Sequence, residues 1–163
     1  LETNKLTVEE IQTVCPIINK TKQIRKNSSD MESATQLYGA VSDVIKGANA
    51  VFVEMPSGSQ SARGSAAYGV CMGVIGSLNA IGTPIYELTP TEVKLAGPGI
   101  KLASKGQMIS WASKQHPEAN WPRHKCGQII SGKAEHQADA IAAIYAGIAS
   151  STFKQLLAML QQK

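Results

Sequence analysis

The chain has 163 residues, of which 43% are apolar and 17% charged, with a formal net charge of +4; this is the balance of a soluble globular protein long enough to bury one real core. The longest apolar-looking stretch, Tyr68 to Ala80, is broken by Gly69, Gly73, Gly76, Ser77 and Asn79 and is too short to span a bilayer, and no charged-then-apolar signal opens the sequence, so neither a membrane partner nor secretion is expected. Three scattered cysteines, Cys15, Cys71 and Cys126, argue against a disulfide framework and for a reducing compartment.

In chain order, Thr7-Val8-Glu9-Glu10 has the form of a capping box, so a short helix is expected from Val8 to Val14, before Pro16. Lys20, Lys22, Arg25 and Lys26 look like an exposed basic loop. Ser29-Asp30-Met31-Glu32 is a second capping box. Behind it Met31, Ala34, Leu37, Tyr38, Val41, Val44 and Ile45 recur at helical spacing, which predicts a helix as far as Lys46. Gly47 closes it. The run Val51-Phe52-Val53-Glu54 does not alternate and reads as a strand buried on both faces, ended by Pro56.

The polar stretch Ser57–Gly64 forms a loop at the mouth of that strand, and a helix follows over about Ala62–Asn79. Its glycines, Gly69, Gly73 and Gly76, would let another helix or the sheet approach closely, within the chain or across a subunit interface. A second strand is expected over Pro84–Leu88. Thr89-Pro90-Thr91-Glu92 then joins an N-cap threonine, a proline at the first helical position and a glutamate at the third, fixing a helix start that Gly97-Pro98-Gly99 ends. Ser104-Lys105-Gly106-Gln107 opens another helix, carrying Met108, Ile109, Trp111 and Ala112 inward. Residues 116–133 read as a loop, followed by helices over Ala134–Ala149 and Thr152–Gln161. The order of elements is α/β. Two strands make a poor sheet on their own, so further strands are expected, in the first 27 residues or upstream.

Glu54 is the position with the strongest chemical argument. Ligands in open α/β sheets lie outside the carboxyl ends of strands, and an acid closing a buried run needs a partner, whether a metal, a hydrogen bond or a salt bridge at the sheet edge. His136 and Asp139 stand three apart on a helix, hence on one face, although an acid near a helix N-terminus also has a structural reason to be there. A rival zinc set, His116, His124, Cys126 and His136, lacks the paired spacings such sites use. From Lys94 to Lys133 the basic residues Lys94, Lys101, Lys105, Lys114, Arg123, Lys125 and Lys133 face one acid, Glu118, which suits either a polyanion or a solvated surface.

From about Met31 to Ile148 the chain resembles the RuvC-type Holliday junction resolvases of the RNase H-like, retroviral integrase-like superfamily. The resemblance is carried by Val51-Phe52-Val53-Glu54, the glycine-rich helix after it, Pro84-Ile85-Tyr86-Glu87-Leu88-Thr89-Pro90-Thr91-Glu92-Val93-Lys94, the Lys105 helix start and His136-Gln137-Ala138-Asp139-Ala140-Ile141-Ala142. It implies an RNase H-like three-layer fold, a mixed central sheet flanked by helices, as one domain over 1–163. It implies a homodimer that nicks four-way or other branched DNA in a bacterial or phage-encoded, cytoplasmic setting. Glu54, His136 and Asp139 would be catalytic and would bind two Mg²⁺ ions, with Mn²⁺ an alternative because imidazole is the softer ligand; His136 is a metal ligand or a proton acceptor. Arg63, Lys94 and Lys105 would contact DNA. The family's first catalytic Asp has no counterpart, since Asp30 and Asp43, the two Asp residues before Glu54, fall in a predicted helix. The chain is therefore expected to lack its N-terminal hairpin. A catalytically silent domain that binds branched DNA as a scaffold, and an enzyme acting on flaps or R-loops, are the other readings.

Overall fold

The structure is a computed structural model and describes residues 6–18, 25–55 and 58–160; Lys20, Lys22, Pro56, Ser57 and Gln161, to which the sequence assigned loops, a strand stop and a helix end, lie outside the described residues. Its elements are α1 (Lys26–Val44), β1 (Val51–Glu54), α2 (Ala62–Ala80), β2 (Ile85–Leu88), α3 (Pro90–Ala96), α4 (Lys105–Gln115), α5 (Ser131–Ala149) and α6 (Ser151–Leu160). The chain is thus mixed helix and strand. Among the described residues, β1 and β2 form a two-stranded sheet. The Val51 N–H donates to the Pro84 carbonyl and the Met55 N–H to the Leu88 carbonyl, both at 2.8 Å, and the two bonds share one sequence offset, so the strands run parallel. No helix of the described residues is long and apolar enough to cross a membrane.

Two compact units emerge. The first takes in the described residues of Leu1–Gln12, Phe52–Met55 and Tyr86–Lys163, and the second those of Thr13–Val51 and Pro56–Ile85.

The core of the first unit lies where α5 packs on α3 and α4. Ala134, Ala138, Ala142 and Ala146 recur every four residues along α5 and are all buried, a seam of small side chains that lets its neighbours come close. Val93, Met108, Ile109, Ala112 and Trp121 fill the space around it. Phe52 packs among Tyr86 and Phe153, with ring centroids 5.5 and 5.1 Å away. It also lies so close to Gly147 of α5 that a Cβ there would overlap its ring. Phe52 and Glu54 are two apart on a strand and so point to the same face, which turns Glu54 toward α5.

The capping boxes that open α3 and α4 form as the sequence predicts. Thr89 accepts from the Glu92 N–H while Glu92 accepts from the Thr89 N–H, and Ser104 and Gln107 do the same for α4. Met108, Ile109 and Ala112 are buried, with Trp111 packed against the core. Three expectations are corrected. All four β1 residues are half-buried rather than enclosed on both faces. Residues 6–18 contain no helix; the Val8 and Ile11 N–H groups donate to the side chains of Glu118 and Asn120, at 3.5 and 3.0 Å, instead of to their own chain. Helix α5 begins at Ser131, so His136 and Asp139 sit more than a turn inside it.

In the second unit α1 packs on α2. Val74 and Leu78 of α2 are buried, whereas no described side chain of α1 is. Helix α1 begins at Lys26, which the sequence placed in a loop, and its N-cap Arg25 makes no side-chain cap. Ser29 lies inside the first turn, where its hydroxyl donates back to the Arg25 carbonyl rather than capping. Ser61, which accepts from the Gly64 N–H, caps α2. The close approach expected at Gly69, Gly73 and Gly76 is not realised among the described residues: a Cβ at each would meet nothing within 4 Å. Cys15, Cys71 and Cys126 are free and exposed.

Candidate active site

The site grows from two elements of the first unit. Strand β1 delivers Glu54 at its carboxyl end, and α5 presents Asp139 half-buried with His136 exposed three residues earlier. Burial raises the Glu54 carboxyl above its ordinary 4.5, the charge of Asp139 raises it further, and Lys94 and then His136 pull it back. Asp139 is likewise raised by burial, against the opposing charges of His136 and Lys94. Glu135 adds to the rise and Lys105 offsets it. Lys94 comes from α3, which packs on α5, so one lysine faces both carboxylates.

Glu54, Asp139, His136, Lys94 and Lys105 therefore share one electrostatic neighbourhood. Among the described residues Glu54 makes no ion pair. Arg63 is held differently. It belongs to the second unit, where its guanidinium makes two hydrogen bonds, of 2.7 and 3.0 Å, to the Asp30 carboxylate.

Glu135 is the site residue that sequence reasoning missed. One of its oxygens lies 2.6 Å from Lys105 Nζ and the other 3.5 Å from His136 Nε2. The Lys105 hydrogen bond is the main cause holding its carboxyl below the usual carboxylate range. Its place beside His136 was visible in the sequence, but its pairing with Lys105 depends on how α4 meets α5.

The rival zinc set does not assemble. His116 is buried and both ring nitrogens are engaged, Nδ1 with Glu118 Oε1 and Nε2 with Tyr145 Oη, each at 2.9 Å. His124 and Cys126 are exposed. No group of three His, Cys, Asp or Glu side chains is gathered tightly enough among the described residues to enclose a metal by itself. A pair of half-buried carboxylates nevertheless fits a hard divalent cation such as Mg²⁺, which takes one or two carboxylates and completes its shell with water and substrate phosphate. Glu54 and Asp139 are the residues that would hold such a cation, with Lys94 the positive charge acting on both.

No protein-family model matches the chain, and no curated protein matches it.

Proposed function

We propose that the protein is a structure-selective endonuclease of RuvC type that resolves four-way DNA junctions by paired, metal-dependent phosphodiester hydrolysis. The observation that carries this reading is the convergence of two half-buried carboxylates, Glu54 and Asp139, under the charge of Lys94 and His136. A pair of acids held above their ordinary range is costly to keep charged, and a divalent cation relieves that cost. The parallel strand pair with an acid at its carboxyl end, and the approach of Phe52 in that strand to Gly147 of α5, are also compatible with an RNase H-like three-layer fold.

In this reading Glu54 and Asp139 hold the cations, two Mg²⁺ or Mn²⁺ ions per site, and His136 is a further ligand or a proton acceptor. Bound ions supply Lewis-acid stabilisation of the phosphoryl oxygens and lower the pKa of a water. Lys94 and Lys105 hold phosphates of the DNA electrostatically and fix the register of the strand. The enzyme acts as a homodimer on a two-fold-symmetric junction, and Arg63 contacts DNA by exchanging Asp30 for phosphate.

The test is incubation of the protein with a labelled four-way junction and with linear duplex, in Mg²⁺ or Mn²⁺, beside Glu54→Gln and Asp139→Asn. The expected result is paired nicks in the junction, scarce in duplex and lost in both variants. Salt-sensitive junction binding without cleavage would support the scaffold reading instead. Cleavage that survives both substitutions would put the active site elsewhere.

A further inference from the structure

We infer that Glu135 is a positioning residue that holds Lys105 in reserve, occupying its ammonium until a DNA phosphate takes the lysine over. This rests on the proposed nuclease reading and adds a device for regulating the same site.

The two partners are unequally anchored. The Lys105 side chain is 76% exposed, whereas that of Glu135 is 16% exposed. Lys105 is the first residue of α4, just after the Ser104 cap, so its four-carbon stem swings from a fixed backbone. Glu135 sits on α5, which packs on α4, and its second oxygen faces His136. The acid stays and the lysine can leave.

An ion pair as exposed as this adds little to stability, because solvent screens it and the lysine loses side-chain entropy in making it. Its cost to DNA binding is more definite. A phosphate must compete with a carboxylate already 2.6 Å from the ammonium, and that carboxylate also repels the phosphate. The exchange makes Lys105 answer to a phosphate placed well enough to displace Glu135, a form of selection against weak or misplaced contacts.

The experiment is a double-mutant cycle on junction affinity in the absence of cleavage, with Ca²⁺ or no divalent ion, at low salt. It compares wild type, Glu135→Gln, Lys105→Gln and the double variant. Removing Glu135 from the wild-type background is expected to tighten junction binding about two- to five-fold, the exchange value of an exposed ion pair. In the Lys105→Gln background the same change is expected to do almost nothing. Glu135→Asp, which keeps the carboxylate, is expected to bind as wild type does, and in cleavage assays Glu135→Gln is expected to lower KM by the same factor as the dissociation constant. Melting curves identify any chain that fails to fold, and Glu135→Ser then replaces Glu135→Gln in the cycle.

Equal tightening in both backgrounds would mean general repulsion and would overturn the inference, as would an unchanged or weakened Glu135→Gln. Either result leaves the nuclease reading standing on Glu54 and Asp139. A wild-type protein that neither binds nor cuts the junction would sink both.

Discussion

Burial and then the charge of Asp139 hold the Glu54 carboxyl above its ordinary value, so the end of β1 and the N-terminal half of α5 are joined by a repulsion. A fold that stability alone had shaped would place a lysine within bonding distance or dispense with one acid. Lys94 opposes the repulsion without ending it, since both carboxyls remain raised.

The first prediction follows by linkage. An acid whose folded pKa is raised binds its proton more tightly in the native state, so the stability it contributes is full below the unfolded value and is lost as pH climbs through the folded one. At neutral pH both groups therefore weigh against folding. Glu54→Gln and Asp139→Asn are each expected to melt higher than wild type at neutral pH. That gain should shrink as pH falls and vanish below about pH 3.5, where the unfolded carboxyls are also protonated. Melting curves across this range check it; variants that melt lower than wild type at neutral pH would contradict it.

A second prediction concerns the cation. If Glu54 and Asp139 bind Mg²⁺ or Mn²⁺, the ion stabilises the native state by mass action, by about 2.7 kcal/mol at a hundred times its dissociation constant. Titration with either ion should raise the melting temperature of the wild type, and chelator should reverse the rise. Glu54→Gln and Asp139→Asn should both be insensitive. A shift of equal size in all three chains would assign the ion to another place.

Local chemistry was legible in the sequence where one residue type has one use. Thr89 with Glu92, and Ser104 with Gln107, form the caps their spacing announces, because the interacting groups are three residues apart and need no tertiary help. The pattern Thr7-Val8-Glu9-Glu10 is equally good on paper and forms no helix, since Glu118 and Asn120, far along the chain, take its N–H groups. Ser29 failed for a different reason: helical geometry was already established from Lys26, and its hydroxyl turned back to Arg25. In the site, strand end and helix spacing marked Glu54, His136 and Asp139 only as candidates and the resemblance to the RuvC-type resolvases joined them, whereas the charge coupling of Glu54 and Asp139 to Lys94 is a property of how α3 and α5 meet. Glu135 needed the same packing before its link to Lys105 could be seen. Among the described residues the glycines of α2 meet no close neighbour within the chain, because the absence of a side chain permits contact without requiring it.

A third prediction tests the packing that aims Glu54. A Cβ on Gly147 would overlap the Phe52 ring, and Phe52 shares a strand face with Glu54. Overpacking of this kind costs about 1–3 kcal/mol when the neighbour can shift. Gly147→Ala is expected to destabilise the protein by that order and, because Phe52 shares its strand with Glu54, to reduce junction cleavage more than junction binding. Restoring room with Gly147→Ala and Phe52→Leu together should recover part of both losses, which denaturant melts and cleavage rates would show.

The last prediction concerns His116, whose ring lies between two partners inside the first unit. An ionised carboxylate only accepts hydrogen bonds, so Nδ1–H donates to Glu118, and in the neutral ring Nε2 accepts the Tyr145 hydroxyl proton. The His116 carbonyl takes the Trp121 indole N–H at 2.9 Å, and Glu118 accepts the Val8 N–H, so one residue ties α4, α5, the following loop and the 6–12 segment together. Tyr145→Phe keeps the ring packed near Trp111 but leaves a buried nitrogen without its partner. The cost of an orphaned buried acceptor is about 1–3 kcal/mol, which for a chain of this size lowers the melting temperature by about 3–10 °C. The His116 hydrogen bond is the main cause holding Glu118 below the usual carboxylate range, and the stability it brings is present above the ordinary value of 4.5 and lost as pH falls through the lowered one. Tyr145→Phe should therefore lose stability with that Glu118 dependence intact, whereas His116→Phe should lose both. Amide exchange at Val8 should quicken in His116→Phe, since Glu118 is then no longer held in place, and a protected Val8 amide in that variant would show that the 6–12 segment is docked by other contacts.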